Sequence, residues 1–442
     1  MNLSSLALSE ASLCKLFLSI LCLLASSHCF SYIFNRLNMP RVIGEILGGI
    51  VLGPSLLGLI SPENCNDLFN SFPEQGKVLA FLYWTGLVLL MVTAGFKINH
   101  SSSVIDKKIV FNLIISSTIL PLLGGFLYYQ IYDFSPYRGP LATDLSMVII
   151  VCISIAITSI PVISKIFIDL GIMQSNFAKI VLTAAILHDL ILWVALDVAI
   201  KDTIQQQTNP YVIAASTVLF LFCALIIGPY LIKYITNLKS NLLLKSSLIG
   251  YLICVCLIIV IVASLFKINM VFGSLMAGII LGTLPNEKFQ TSRNVISDFS
   301  MAFFIPLYFA IVGLKINLPS YFDLRLFLEF LVISSLLEIG AVIIGLKLAK
   351  KSWLTCLNFG VAMNTRGGPG IVIASMAYEF SIINQTFFVV LILAAITTSL
   401  ISGIWFKFIL NRKLSLYESD LGILIEGDSV INNSISIKKI DG

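Results

Sequence analysis

Long apolar runs, separated by short polar or Gly/Pro-containing breaks, fill almost the whole chain. Val148 to Ile168, Phe177 to Ile200, Val212 to Ile235 and Leu248 to Phe266 each hold about 18 or more largely apolar residues, enough at ~1.5 Å per residue to cross a hydrocarbon core. Marking such runs from end to end predicts thirteen spanning helices, centred near residues 24, 50, 87, 120, 157, 188, 223, 255, 277, 307, 337, 366 and 398. The expected fold is therefore an all-α polytopic membrane protein.

The polar connections are charged unevenly. With the N-terminus placed outside, eighteen Lys and Arg, from Arg36 and Arg41 through Lys97 and Lys239 to Lys413, fall on the cytoplasmic side. Only Lys15, Lys77, Arg138, Lys201, Lys267, Lys315 and Arg325 fall outside. A positive-inside bias of this size predicts an outer N-terminus and a cytoplasmic C-terminus.

The halves of the chain repeat one another. Arg41-Val-Ile-Gly-Glu-Ile-Leu-Gly-Gly-Ile-Val-Leu-Gly53 matches Met270-Val-Phe-Gly-Ser-Leu-Met-Ala-Gly-Ile-Ile-Leu-Gly282, and Gly95-Phe-Lys-Ile-Asn99 matches Gly313-Leu-Lys-Ile-Asn317. Matched spans lie seven apart, an odd number, so the copies cross the membrane in opposite directions. The reading is a 6+1+6 inverted repeat: residues 13–200, a linker helix over 211–235, and residues 245–410. These make one membrane unit over 1–410, followed by a short cytoplasmic tail, 411–442. Inverted repeats recur in secondary transporters, whose sites lie near the midplane between interrupted helices.

Composition agrees and excludes other classes. Hydrophobic residues are 58% and charged residues 12%, against about a quarter charged in soluble domains. A net charge of +5, spread over helix ends, does not suggest nucleic acid as a partner. The nine cysteines lie in apolar segments except Cys65, and Cys254 and Cys256 point to different faces of one helix, which predicts neither disulfides nor a metal site. Glu10 and a lone Lys15 precede the first apolar run, so that run reads as a retained span rather than a cleaved signal peptide. With no nucleophile arrangement or phosphate loop, neither an enzyme nor a cofactor is expected.

Polar groups half-way along a span are costly and usually functional. The fifth span is broken at Ala156-Ile-Thr-Ser-Ile-Pro161 and the twelfth at Asn364-Thr-Arg-Gly-Gly-Pro-Gly370, equivalent places in the two repeats. Proline removes a backbone donor and frees carbonyls of the preceding turn. If these helices cross, opposed partial charges meet there, and the hydroxyls of Thr158 and Ser159 help to ligate a cation. The sixth span carries His188-Asp189 at its centre; a carboxylate there holds a proton or a bare cation but not both, which is the competition an exchanger needs. Glu338 occupies the middle of the eleventh span, and a buried pair is expected among Glu338, His188 and Arg366. Asp197, eight residues past Asp189, reads as a solvated helix end, and Lys165 with Asp169 as a surface pair.

These segments resemble the monovalent cation:proton antiporter superfamily, in the branch with Kef-type potassium/proton and Nap-type sodium/proton exchangers. The likeness rests on Pro40 to Gly58, the Thr-Ser-Ile-Pro break, the acid of span six, Pro306 to Asn317 and Asn364-Thr-Arg-Gly-Gly, and covers about residues 13 to 410. It implies an Nha-type antiporter fold with two crossed broken helices, a homodimer, a core moving elevator-fashion, and Asp189 as the acid that binds Na+ or K+ and H+. Two departures stand out. His188 replaces the Asp, Asn or Gln common before the acid, and Glu338 stands where many relatives have lysine. Together they suggest a His188–Glu338 pair and one-for-one, electroneutral exchange. The cytoplasmic nucleotide-binding domain of many relatives is not expected after so short a tail. The alternatives are a sodium-coupled symporter or solute carrier on a related plan, or a cation channel.

Overall fold

The computed structural model describes residues 8–37, 39–98, 106–204, 210–238, 241–266 and 268–420. Asn99, His100, Lys239, Lys267 and the tail from residue 421 lie outside the described residues. Sixteen helices carry the fold, with a few short turns between them: α1 (Glu10–Arg36), α2 (Arg41–Leu52), α3 (Gln75–Ile98), α4 (Lys107–Ile131), α5 (Asp144–Ala156), α6 (Ile160–Asp169), α7 (Asn176–Ile204), α8 (Pro210–Asn237), α9 (Leu248–Leu265), α10 (Met270–Gly282), α11 (Asn286–Phe299), α12 (Ile305–Leu314), α13 (Leu324–Leu348), α14 (Trp353–Met363), α15 (Gly367–Glu379) and α16 (Gln385–Asn411). No strand occurs among the described residues.

Local chemistry starts these helices where polar residues meet apolar runs. Ser9, Asp106, Asp323, Ser352 and Asn384 each accept from a backbone N–H of the following turn, and Thr143 and Ser146 form a reciprocal capping box ahead of α5. Among the described residues eleven segments are long and apolar enough to cross a membrane. The repeat-related α2 and α10 are short at 12 and 13 residues, about 20 Å of helix. Every predicted centre falls on a helix except 157 and 366, which fall in the two breaks.

The helices sort into two bundles. One contains α1, α2, α3, α9, α10, α11 and α12; the other contains α4 to α7 and α13 to α16. Helix α8 packs on α7 from one and α10 from the other. Each bundle thus takes helices from both halves of the sequence.

The repeated glycines explain the first bundle. A Cβ on Gly49 would come within 1.8 Å of the Ala310 carbonyl oxygen, and one on Gly313 within 2.1 Å of that of Ile46. Their repeat mates make the same contact: Gly278 would meet Val92 O at 2.3 Å, and Gly95 would meet Leu275 O at 2.6 Å. So α2 lies backbone-to-backbone on α12 as α10 does on α3, with the same three-residue offsets, as a two-fold relation between the halves requires.

Termini and loops define two faces. The Asp420 carboxylate accepts from the N–H groups of Asn176 (2.9 Å) and Phe177 (3.1 Å), and Glu418 accepts from Ser352 N–H (2.8 Å). Residues 417–420 therefore share a face with the starts of α7 and α14. At the other face Gly139 N–H donates to Ile382 O (2.9 Å) and Asn384 N–H to Tyr137 O (3.0 Å), tying the loop before α5 to the turn after α15.

Candidate functional site

The two breaks meet each other directly. Helix α5 ends at Ala156 and α6 begins at Ile160 with Ser159 as its cap, so Ser159 N–H is released from its helical partner, Ile155 O. It donates instead to Thr365 O at 2.5 Å. The Thr158 hydroxyl donates to Met363 O at 2.6 Å, so each broken helix satisfies orphan groups of the other. Gly367 is required here: its φ is +36°, and a Cβ would lie 2.6 Å from Ser159 Oγ and 2.4 Å from a methyl of Val162.

Arg366 stands at the start of α15, where the helix dipole disfavours a cation. Its guanidinium is compensated by acceptors: it donates to Ser334 Oγ (2.8 Å), Asn364 Oδ1 (3.2 Å) and, at 3.5 Å, to the Ile155 carbonyl that the first break has freed. The Phe330 ring lies 5.8 Å from its Cζ. Helix α16 supplies the other end. Gly367 N–H donates to Ser399 Oγ (3.1 Å), Arg366 N–H to Thr398 Oγ1 (3.4 Å), and the Thr365 hydroxyl to Ser402 Oγ (2.7 Å). A cavity of about 10 Å³, space for roughly one water, lies beside Arg366 between Ser154, Ile157 and Phe330.

Asp189 lies on α7, which packs against both halves of the first broken helix and against α14. It is 8% exposed, and its Oδ1 has no hydrogen-bond partner among the described residues. The structure joins Thr158 and Ser159 to the second break rather than to Asp189 by hydrogen bonds. His188 is fully buried with both ring nitrogens unpartnered, and Glu338 is fully buried with both carboxylate oxygens unpartnered. The expected His188–Glu338 pair is not formed in this structure. The cation within electrostatic reach of Glu338 is Arg366, yet the two are not in ion-pair contact because the guanidinium is turned to Ser334 and Asn364.

Asp197 corrects a second expectation. It is buried, not solvated: its Oδ2 pairs with Lys201 Nζ at 2.8 Å and accepts from Thr217 Oγ1 of α8 at 2.7 Å, while its Oδ1 accepts from the Asn269 N–H ahead of α10 at 2.8 Å. Lys165 and Asp169 do form the expected pair, though with side chains only 32% and 21% exposed. The supporting roles of Ser334, Thr398, Ser399 and Ser402 escaped sequence reasoning. The signal was present, since Thr398, Ser399 and Ser402 make a polar stripe at helical spacing within an apolar span.

A family model described as "Sodium/hydrogen exchanger, transmembrane" matches residues 21–412. The Na(+)/H(+) antiporter of Enterococcus hirae is 24% identical over 405 residues, covering 90% of this chain and 98% of that protein. Cation/H(+) antiporter 18 of Arabidopsis thaliana is 24% identical over 398 residues, 87% of this chain but 48% of that protein, so the chain spans about half the length of such relatives. Among solved structures, the sodium proton antiporter MjNhaP1 from Methanocaldococcus jannaschii superposes with a TM-score of 0.57 at 17% identity, over 88% of this chain and 96% of that one, which shows a shared fold. Two breaks joined by hydrogen bonds, a buried acid on a helix packed against the first of them and a family match over residues 21–412 lead to one assignment: this chain belongs to the transmembrane sodium/hydrogen exchanger family.

Proposed function

We propose that this protein exchanges a monovalent cation, Na+ or K+, for protons across a membrane, with Asp189 holding one or the other on each passage. The carrying observation is a single carboxylate, 8% exposed and with one oxygen unpartnered, at the middle of a span packed on a broken helix. An ionisable group in that position is a transport site by default, because an uncompensated charge there is expensive. A proton or a cation each removes the cost, so the loaded forms cross and the empty charged form does not. With Asp189 as the one central acid of span six, and Asp197 tied to Lys201, exchange is one for one and electroneutral.

The sorting of helices into two bundles supports an elevator movement in which α4 to α7 and α13 to α16 travel against the rest. Thr158 and Ser159 are the proposed oxygen ligands beside Asp189. The Thr158 hydroxyl spends its proton on Met363 O, which leaves its lone pairs for a cation. His188, Glu338 and Arg366 are the supporting polar groups. The proposed arrangement is an inverted repeat of 13–200 and 245–410 about a linker over 211–235, working as a homodimer with N-terminus outside and C-terminus cytoplasmic.

Reconstitution into vesicles under an imposed pH gradient tests the reading, with sodium, potassium, lithium or rubidium added in turn. Cation-dependent proton movement is expected from the wild type and none from Asp189→Asn. A fully active Asn variant, or proton movement without any cation, overturns it.

A further inference from the structure

On the face away from residues 417–420, charge crosses between the two bundles. Lys315 follows α12 in the first bundle, Glu379 closes α15 in the second, and their side chains form an ion pair. The Lys315 ammonium also lies 3.9 Å from the centre of the Tyr83 ring on α3, a cation–π contact. The Lys315 carbonyl accepts from Gln385 Nε2 of α16 at 3.0 Å. Ser55 anchors the same turn to the first bundle, donating to Ile316 O (2.6 Å) and accepting from Leu318 N–H (3.0 Å). One residue, firmly fixed on its own bundle, thus grips the other by side chain and backbone.

Next to this pair, Tyr83 and Tyr308 from the first bundle and Ser375 from the second bring three hydroxyls together. They are 1%, 0% and 2% exposed, and none has a hydrogen-bond partner among the described residues. The two tyrosine rings are 5.1 Å apart, both phenols lie within electrostatic reach of Glu379, and both lie near the Ser375 hydroxyl without meeting it in hydrogen-bond geometry. Buried unpartnered hydroxyls are uncommon and each calls for a reason. Two phenols within electrostatic reach of Glu379, with Ser375 one helical turn before it on α15, make an oxygen-donor set suited to a hard cation.

The ion pair itself is built to open. The Lys315 and Glu379 side chains are 31% and 25% exposed, so water competes for both charges and weakens the pair. The Asp197–Lys201 pair on the same face is 0% and 6% exposed, which makes it a permanent tie by comparison.

We propose that Lys315 is a tethered cation closing this face, and that a monovalent cation arriving from it displaces the ammonium from Glu379 and is held by that carboxylate with the hydroxyls of Tyr83, Tyr308 and Ser375 before passing to Asp189. The proposal rests on the exchange reading above. The test is the cation KM measured separately with the cation on each face of oriented vesicles, for wild type, Lys315→Gln, Glu379→Gln and Lys315→Arg. Removing the tethered competitor in Lys315→Gln lowers KM on the Lys315 face relative to the other face by about fivefold or more, the scale of a typical coupling between sites. Removing the ligand in Glu379→Gln raises it, and Lys315→Arg keeps the wild-type ratio. A simple latch moves both Gln variants in the same direction, and that result, or an unchanged ratio in both, overturns the proposal. Wild-type vesicles that exchange no cation for protons overturn the exchange reading itself, and this proposal with it.

Discussion

Breaking the Asp197–Lys201 pair tests whether α7 is truly clamped to its neighbours at the end beyond Asp189. Asp197→Ala leaves the Lys201 ammonium, 6% exposed, with Thr217 as its remaining polar partner, and strips the Asn269 N–H of its acceptor. Removing one partner of a buried ion pair costs about 3–5 kcal/mol, whereas removing one member of a surface pair costs about 0–1 kcal/mol. The two ranges do not overlap, so the measurement discriminates. Thermal or denaturant unfolding of detergent-purified Asp197→Ala, Lys201→Met and the double variant closes a double-mutant cycle. The expected outcome is a large loss for Asp197→Ala, partly recovered in the double variant, because the stranded ammonium is then gone. The Asn269 N–H stays unpaired in both, so recovery is incomplete. Additive losses below about 1 kcal/mol each would refute the clamp and return Asp197 to a solvated helix end.

Three further outcomes follow from contacts elsewhere. Gly49→Ala and Gly278→Ala each drive a Cβ into a backbone carbonyl and are expected to lower stability by about 1–3 kcal/mol or more, while Gly76→Ala, with open space around it, leaves the unfolding midpoint in place. Ser399→Ala removes the acceptor for Gly367 N–H at the start of α15, an N-cap-like loss of about 1 kcal/mol in the same unfolding assay. Arg366→Lys keeps the charge but loses the planar fork that spans Ser334, Asn364 and Ile155; exchange in vesicles falls by the equivalent of about 1.5–3 kcal/mol, with wild-type rates counting against a role for that geometry.

Whatever depends on a residue and its own helix is legible in the sequence. Pro161, Gly367, Gly368 and Pro369 break helices by their covalent nature, so the chain alone places both breaks, and the apolar run around Asp189 marks it as central on its span. The failures concern partners brought from a distance. Asp197 and Lys201 stand four apart on one helix, a spacing equally compatible with a solvated surface pair; what buries them is the arrival of Thr217 on α8 and of the Asn269 backbone. The His188–Glu338 pair is inferred from a charge exchanged between two positions, which says nothing of side-chain direction. Both groups are buried without a hydrogen-bond partner among the described residues, while Arg366, the cation within electrostatic reach of Glu338, is committed to neutral acceptors.

That pattern has a mechanical reading. A buried acid paired with a fixed cation has no reason to take a proton or a metal ion, since its charge is already met. The fold instead directs Arg366 to Ser334, Asn364 and a freed carbonyl, holding the crossed breaks rigid while Asp189 keeps an oxygen uncommitted. Hydrogen bonds are concentrated in the breaks, where hydroxyls of α16 and both side chains and backbone of the opposite break satisfy the named orphan groups, and chemical freedom is concentrated in a carboxylate one helix away. An exchanger of the proposed kind needs that division: a site whose shape survives the passage between faces and whose charge is settled anew at each.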